Sequence, residues 1–292
     1  MVLNRRIDFV FPYVNANDAA WAEEYRRVIG KELSVERYRD PGTLEILIRL
    51  IEKNLPWVSV IHLVLADSTT AHAFLSQHRK VRVVRHSKFI PKDHLPTYNS
   101  SVIESYLHRI PGLSEFFIYG NDDVFPVKPL RPEDFFDFET GKVKLDITMV
   151  PFDIARRPFD DLRKSAATKL LRVDDVLYVP FQSHLLSPYR RSYYRRAYDE
   201  YSDVIEAAHT RVRDNSRNVN QYFFGYWLYL RNLTTPPMNL GCSQLAHKAA
   251  ICLDEIFAQS RLVCLNDSGN IGGGEYRRVW RKIKMKLLSC LK

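Results

Sequence analysis

Asn121, Asp122 and Asp123 follow a glycine and the apolar run Phe116-Phe117-Ile118-Tyr119. Four β-favouring residues after the turn signal Pro111-Gly112 predict a buried strand, which puts an amide and two adjacent carboxylates at its carboxyl end. Ligands of open α/β sheets bind at that edge, and paired hard oxygens there suit a divalent cation carrying a diphosphate. A plain turn is the competing reading, because Gly, Asn and Asp dominate turns for local backbone reasons.

Other polar residues divide in the same way between chemistry and local structure. Ser101-Val102-Ile103-Glu104 fits a capping box, with Glu104 bonding back to the helix start. Asp40-Pro41 reads as an N-cap followed by proline at the first helical position, and Asp18 is placed to cap the helix that begins Ala19-Ala20-Trp21. Asn99 and Ser100 precede a helix as turn residues, and Asn266-Asp267-Ser268-Gly269 is a good turn sequence. His184 is one of nine histidines, and imidazole suits a general base near neutral pH.

The elements that would position these groups alternate. Ile7 to Val14, Val60 to Ala66 and Val81 to Arg85 read as extended; Asp18 to Ile29, Leu44 to Asn54 and Ser100 to His108 read as helical. Such alternation implies a mainly parallel sheet with covering helices. Beyond Pro126 come prolines, then helical patterns over Phe159 to Leu171, Pro188 to Tyr198 and Val219 to Leu230, with a short strand at Arg261 to Leu265. The aromatic cluster of Tyr222, Phe223, Phe224, Tyr226, Trp227 and Tyr229 is apolar all round and reads as core. From Tyr276 to Lys292, Val279, Trp280, Ile283, Leu287 and Leu291 recur at helical spacing, with Arg277, Arg278, Arg281, Lys282, Lys284 and Lys286 at the intervening positions. This basic amphipathic tail reads either as a contact with an anionic membrane surface or as a helix docked on the protein.

The formal charge of +9 suits polyanionic partners, and without a zinc-finger, RNA-recognition or basic-zipper pattern nucleic acid is not expected among them. Four cysteines without paired spacing support neither a disulfide framework nor a zinc site. No apolar run approaches the ~18 residues of a membrane span, and the N-terminal apolar stretch is too short for a signal core. The expected location is cytoplasmic, peripheral to the inner membrane face if the tail binds there.

Four blocks, in order, resemble the Stealth family of sugar-1-phosphate transferases, which includes bacterial capsule and exopolysaccharide phosphotransferases and the lysosomal-tag N-acetylglucosamine-1-phosphotransferase. Ile7 to Trp21 is similar to its first block. Arg37 to Val58, running on to Leu95 to Phe125, is similar to its second. The region from His184 through Arg213 and Gln221 resembles its third, and Val263 to Asp267 its fourth. Asn15-Ala16-Asn17-Asp18 departs from the family's usual Asp-Gly-Ser-Asp turn, and Pro41 stands where Asn is common.

The resemblance implies transfer of a hexose-1-phosphate from a UDP-sugar to a glycan hydroxyl, with UMP leaving. It implies Asp123, His184, Glu104, Arg213 and Arg163 as catalytic, and Arg37, Arg39, Asp40, Asp18 and Asn99 as substrate-binding. Asp122, Asp123, Asn121, Asn266 and Asp267 would hold Mg2+ or Mn2+. The expected fold class is α/β: a Rossmann-like, GT-A-like, mainly parallel sheet with flanking helices and a helical C-terminal half completing the site. Residues 1–275 would form one catalytic domain and 276–292 the tail. Two alternatives remain, a metal-dependent glycosyltransferase releasing UDP and a non-catalytic subunit binding polyanions or membrane.

Overall fold

A computed structural model describes residues 5–32, 38–145, 147–152, 160–237, 240–267 and 271–292. Its central sheet is built from β1 (Ile7–Pro12), β2 (Val58–Leu65), β3 (Val81–Arg85) and β4 (Phe116–Tyr119). These four strands are parallel in the order β3-β2-β1-β4. Phe9, Val10, Phe11, Leu63 and Val64 are fully buried, because a parallel sheet covered on both faces needs apolar residues on each. The fold is thus α/β with a mainly parallel sheet.

The chain then adds β5 (Val124–Pro126), β6 (Val143–Lys144), β7 (Ile147–Pro151), β8 (Tyr178–Gln182), β9 (Ser187–Arg190), β10 (Thr234–Thr235), β11 (Gly241–Leu245) and β12 (Leu262–Asn266). Strand β9 runs antiparallel to β4 at the sheet edge. A second sheet has the order β11-β12-β5, with β12 parallel to β11 and antiparallel to β5. Strands β7 and β8 form an antiparallel pair, and β6 and β10 a parallel one. Only Gly120 to Asp123 separates β4 from β5, so the acidic turn is the joint between the two larger sheets.

Helix starts show where local signals held and where tertiary structure overrode them. Asp18 caps the helix Ala19–Ile29, its carboxylate accepting from the Ala20 and Trp21 amides, and Gly30 closes that helix at φ 69°, a left-handed conformation that favours glycine. The helix Leu44–Asn54 starts after Thr43 rather than at Asp40-Pro41. The helix Ser100–Ser105 is capped by Asn99, which puts Glu104 near its end and not in a capping box. Leu107–Arg109 continues as a 3-10 turn. The helix expected from Pro188 begins only at Arg191, because Ser187–Arg190 pairs with β4. Proline is tolerated there because β9 is an edge strand, where a missing amide donor costs no internal ladder bond.

Most of the basic tail lies in the helix Gly273–Ser289, which starts and ends three residues before the expected bounds. Val279, Trp280, Ile283 and Leu287 are buried in the same core cluster as the central sheet. The apolar stripe is therefore spent on protein, and any membrane contact by this helix would rest on its outward basic face. Lys282 donates to the Ala250 carbonyl and Lys286 to the Asp254 carboxylate. Among the described residues, no helix is long and apolar enough to cross a membrane. All four cysteines are free thiols.

Because Ile283 is fully buried, Ile283→Ala is expected to lower stability by about 2–4 kcal/mol. Arg278→Ala, on the exposed face, is expected to change it by less than about 0.5 kcal/mol. Urea unfolding curves of the two variants check both values.

Candidate active site

The loops leaving the carboxyl ends of β1, β2, β3, β4 and β12 open on one cavity of about 400 Å³, with Tyr13, Ala66, His86, Asp122 and Asp267 on its wall. Gly120 permits the close turn into it, since a Cβ there would lie 2.7 Å from Leu186 Cδ2 and 3.1 Å from the Phe9 ring. The Gly120 amide donates to the Val10 carbonyl at 3.0 Å, and the Leu265 amide to the Asp123 carbonyl at 2.9 Å. Backbone bonds thus tie the acidic turn to β1 on one side and to β12 on the other.

Asp122 and Asp123 both line the cavity. Burial, then the charges of Asp123 and Asp40, push the Asp122 carboxyl up to about 8. Asp123 Oδ1 is buried and makes no hydrogen bond. Crowded acidic oxygens that lack donors are what a hard divalent cation takes as ligands, so these two residues fit such an ion. Cys264 joins them unexpectedly: its thiol, one ligand atom of Asp123 and one of His184 lie within 4.8 Å of one another.

His184 faces Asp123, with Nε2 3.8 Å from Oδ1. The Asn121 side-chain amide donates to the same nitrogen at 3.1 Å, while Asn121 Oδ1 accepts from the Tyr119 hydroxyl at 2.9 Å. Burial alone would lower the His184 pKa, but Asp123 and then Glu104 outweigh it, and the net shift is upward. Asn121 therefore orients the imidazole, and its oxygen is already occupied.

Glu104 is on the wall but only 4% exposed. Its carboxylate accepts from the Tyr119 hydroxyl at 3.0 Å and from the Gln221 amide at 2.7 Å. It thereby joins β4 to the start of the helix Gln221–Leu230, and burial raises its pKa. Arg213 donates to the Ser100 hydroxyl. Its Nε is buried without a partner, and its charge acts on both Glu104 and His184.

Arg39 reaches the same cavity from a distant loop. Nη2 donates to Asp267 Oδ1 at 2.6 Å, Nε to Oδ2, and Nη1 to the Ile271 carbonyl at 3.2 Å. Its guanidinium lies 4.0 Å from the centre of the Tyr276 ring, a cation–π arrangement. Asp267 is thus engaged with Arg39 where the sequence suggested a cation ligand. Asn266 also lines the cavity and donates to the Ser243 hydroxyl at 2.8 Å.

Asp40, Asp18, Asn99 and Arg163, also expected at the site, lie off the wall. Asp40 accepts from the Tyr13 hydroxyl and the Gly42 amide, each at 2.8 Å. Asp18 caps its helix and accepts from the Thr70 amide at 2.6 Å. Asn99 is fully buried, accepts from the Ser101 amide and donates to the Thr210 carbonyl and to Asn218, which is the bonding of a structural hub. Arg163 is paired with Asp160 at 2.9 Å and stacked against Phe181 and Tyr222, and of these Tyr222 reaches the cavity. Arg37 lies outside the described residues.

Sequence reasoning missed several wall residues, namely Tyr13, Tyr276, Trp280 and Cys264's neighbour Leu265. Tyr13 could have been suspected from its place at the carboxyl end of a strand beside the acidic turn. Tyr276 and Trp280 carried only the signal of a helical apolar stripe, which reads as packing.

Residues 37–144 match the family described as Stealth protein CR2, conserved region 2. The chain is 29% identical over 293 residues to a capsular polysaccharide phosphotransferase of Neisseria meningitidis serogroup B, covering 91% of this chain and 78% of the relative. It is 30% identical to the capsular polysaccharide phosphotransferase LcbA of Aeromonas hydrophila, covering 80% and 69%. Against the Haemophilus influenzae enzyme fcs1, named likewise, identity is 30% and coverage 79% and 68%. Among solved structures, the galactosyltransferase LgtC with donor and acceptor sugar analogues aligns at TM-score 0.44 and 12% identity, over 94% of this chain and 95% of that one. With 30% identity spread over most of both sequences, and the second of the four blocks matched independently, the chain belongs to the Stealth family and is a sugar-phosphate transferase.

Proposed function

We propose that the protein transfers a hexose-1-phosphate from a UDP-sugar to a hydroxyl of a glycan, releasing UMP, in the synthesis of a phosphodiester-linked capsular or exopolysaccharide. The observation that carries this reading is the meeting of Asp122, Asp123, His184, Arg213 and Arg39 around one cavity. Phosphoryl transfer depends on positioning and on neutralising charge over the phosphoryl oxygens, so it calls for a cation and guanidiniums around the phosphorus. The relatives' names, capsular polysaccharide phosphotransferases, support the same class of product.

The acceptor hydroxyl attacks the phosphorus that bears the sugar. An oxygen–phosphorus bond forms there, the bond to the bridging oxygen breaks, and UMP leaves with that oxygen. His184 Nε2 accepts the hydroxyl proton in place of the Asn121 amide N–H that occupies its lone pair in the free site. The Asp123 carboxylate beside it stabilises the imidazolium that results. Arg213, whose Nε has no protein partner, donates to the phosphoryl oxygens as negative charge spreads over them. Arg39, braced by Asp267 and Tyr276, binds the diphosphate. Glu104 acts as a positioning residue, since Tyr119 and Gln221 already occupy its oxygens. A Mg2+ or Mn2+ ion held by Asp122 and Asp123 would supply further neutralisation of the diphosphate.

Purified protein given a UDP-hexose, Mg2+ or Mn2+ and an acceptor glycan is expected to yield UMP and a glycan phosphodiester, read by chromatography and phosphorus NMR. UDP as the product would sink the proposal. Asp123→Ala is expected to lower kcat by at least about a hundredfold, and His184→Ala by about 10²–10⁴-fold, with circular dichroism unchanged.

Arg213→Ala should lower kcat more than it raises KM, because its contact strengthens with charge in the transition state. Chelation by EDTA should abolish turnover, and added Mg2+ or Mn2+ should restore it. A chelated enzyme with full turnover would remove the cation from the scheme.

A further inference from the structure

We infer that the C-terminal helix is a wall of the donor site, where the Tyr276 hydroxyl and the Trp280 indole N–H donate hydrogen bonds to the phosphate oxygens of the nucleotide sugar. This assignment rests on the donor reading given above. The two residues are four apart on the helix Gly273–Ser289, so they share one face, and their ring centres lie 6.2 Å apart. Both line the cavity.

Both also carry a buried donor with no partner. Tyr276 Oη and Trp280 Nε1 make no hydrogen bond, although Trp280 as a whole is 97% buried at 3% exposure. Buried polar groups are ordinarily satisfied, and an exception calls for a ligand or another explanation. Packing alone would be served by phenylalanine at either position. An indole N–H can only donate. Burial, then the charges of Asp267, Asp40 and Asp122, hold the Tyr276 phenol above its ordinary pKa, so it too presents a proton at neutral pH. Two buried donors without a protein acceptor call for a ligand rich in acceptors, and phosphate oxygens only accept.

The surroundings favour the phosphates over the base or the sugar. The Arg39 guanidinium stacks on the Tyr276 ring at 4.0 Å, and the acidic side chains that influence the phenol include Asp122 of the cation pair. The Tyr276 ring therefore lies against the diphosphate-binding arginine, on the wall it shares with Asp122 and Asp123.

The test is calorimetric titration of UDP with Mn2+, and of uridine, into the full chain and its Tyr276→Phe and Trp280→Phe variants. Each variant is expected to weaken UDP binding about tenfold and to leave uridine binding unchanged. In turnover, KM for the UDP-sugar should rise about as much, with kcat changed less. Tyr276→Phe removes a single oxygen and decides the matter should Trp280→Phe fail to fold. Wild-type protein that binds UDP no more tightly than Tyr276→Phe does overturns this inference alone. Wild-type protein that binds no nucleoside diphosphate overturns the donor reading and the inference with it.

Discussion

Repulsion among Asp40, Asp122 and Asp123 is the constraint around which the site is arranged. Burial and the two neighbouring acids raise the Asp122 carboxyl to about 8, which measures how poorly this place holds several negative charges at once. Such a cluster opposes folding, and it persists only because the surrounding structure over-determines it. The Gly120 amide on Val10, the Leu265 amide on the Asp123 carbonyl and the Tyr13 hydroxyl on Asp40 do so from three separate elements. The acidic groups are thus in place before any ligand arrives, and a cation there would favour the charged form of Asp122.

Positive charge is supplied by chains of contacts that cross the sequence. Arg39 is fixed by Asp267, 228 residues away, and by the Tyr276 ring. Arg213 is fixed by Ser100, 113 residues away. Neither arginine could be positioned by its own segment, since a long flexible side chain holds one geometry only when its partners remove the alternatives. The second half of the chain therefore braces Arg39 and supplies part of the wall, while the first half braces Arg213. Its strands β9 and β12 pair with β4 and β5 on either side of the acidic turn, which joins the halves at the site itself.

The sequence was legible where a signal is local. Phe116 to Tyr119 and Val81 to Arg85 are strands with the expected bounds, because a short β-branched or aromatic run between turn residues has few other uses. The helix Leu44–Asn54 was legible from its apolar spacing in the same way. Illegible were the roles that depend on distant partners. Asn99 looks like a turn residue or a ligand contact, and only the nearness of Thr210 and Asn218 makes it a hub. Glu104 fits a capping box by spacing, yet Tyr119 and Gln221 offer its carboxylate better-placed donors. Ser187 to Arg190 lacks a strong strand pattern, and its pairing is set by the open edge of β4.

A carboxylate pair at the end of a strand serves glycosyl and phosphoryl transfer alike, so it cannot by itself choose between them. The groups beside the pair discriminate better. Attack on an anomeric carbon leaves the diphosphate intact as a leaving group, and a cation meets the charge that develops there. Attack on phosphorus, like attack on carbon, requires the hydroxyl proton to be removed, and in addition it places charge on the phosphoryl oxygens themselves. An imidazole held by Asn121 beside Asp123, with a guanidinium whose Nε lacks a protein partner acting on that imidazole, answers both demands. Of the two groups, the guanidinium, placed by the loop before the helix Gln221–Leu230, is the one that supports attack on phosphorus, the reaction proposed above.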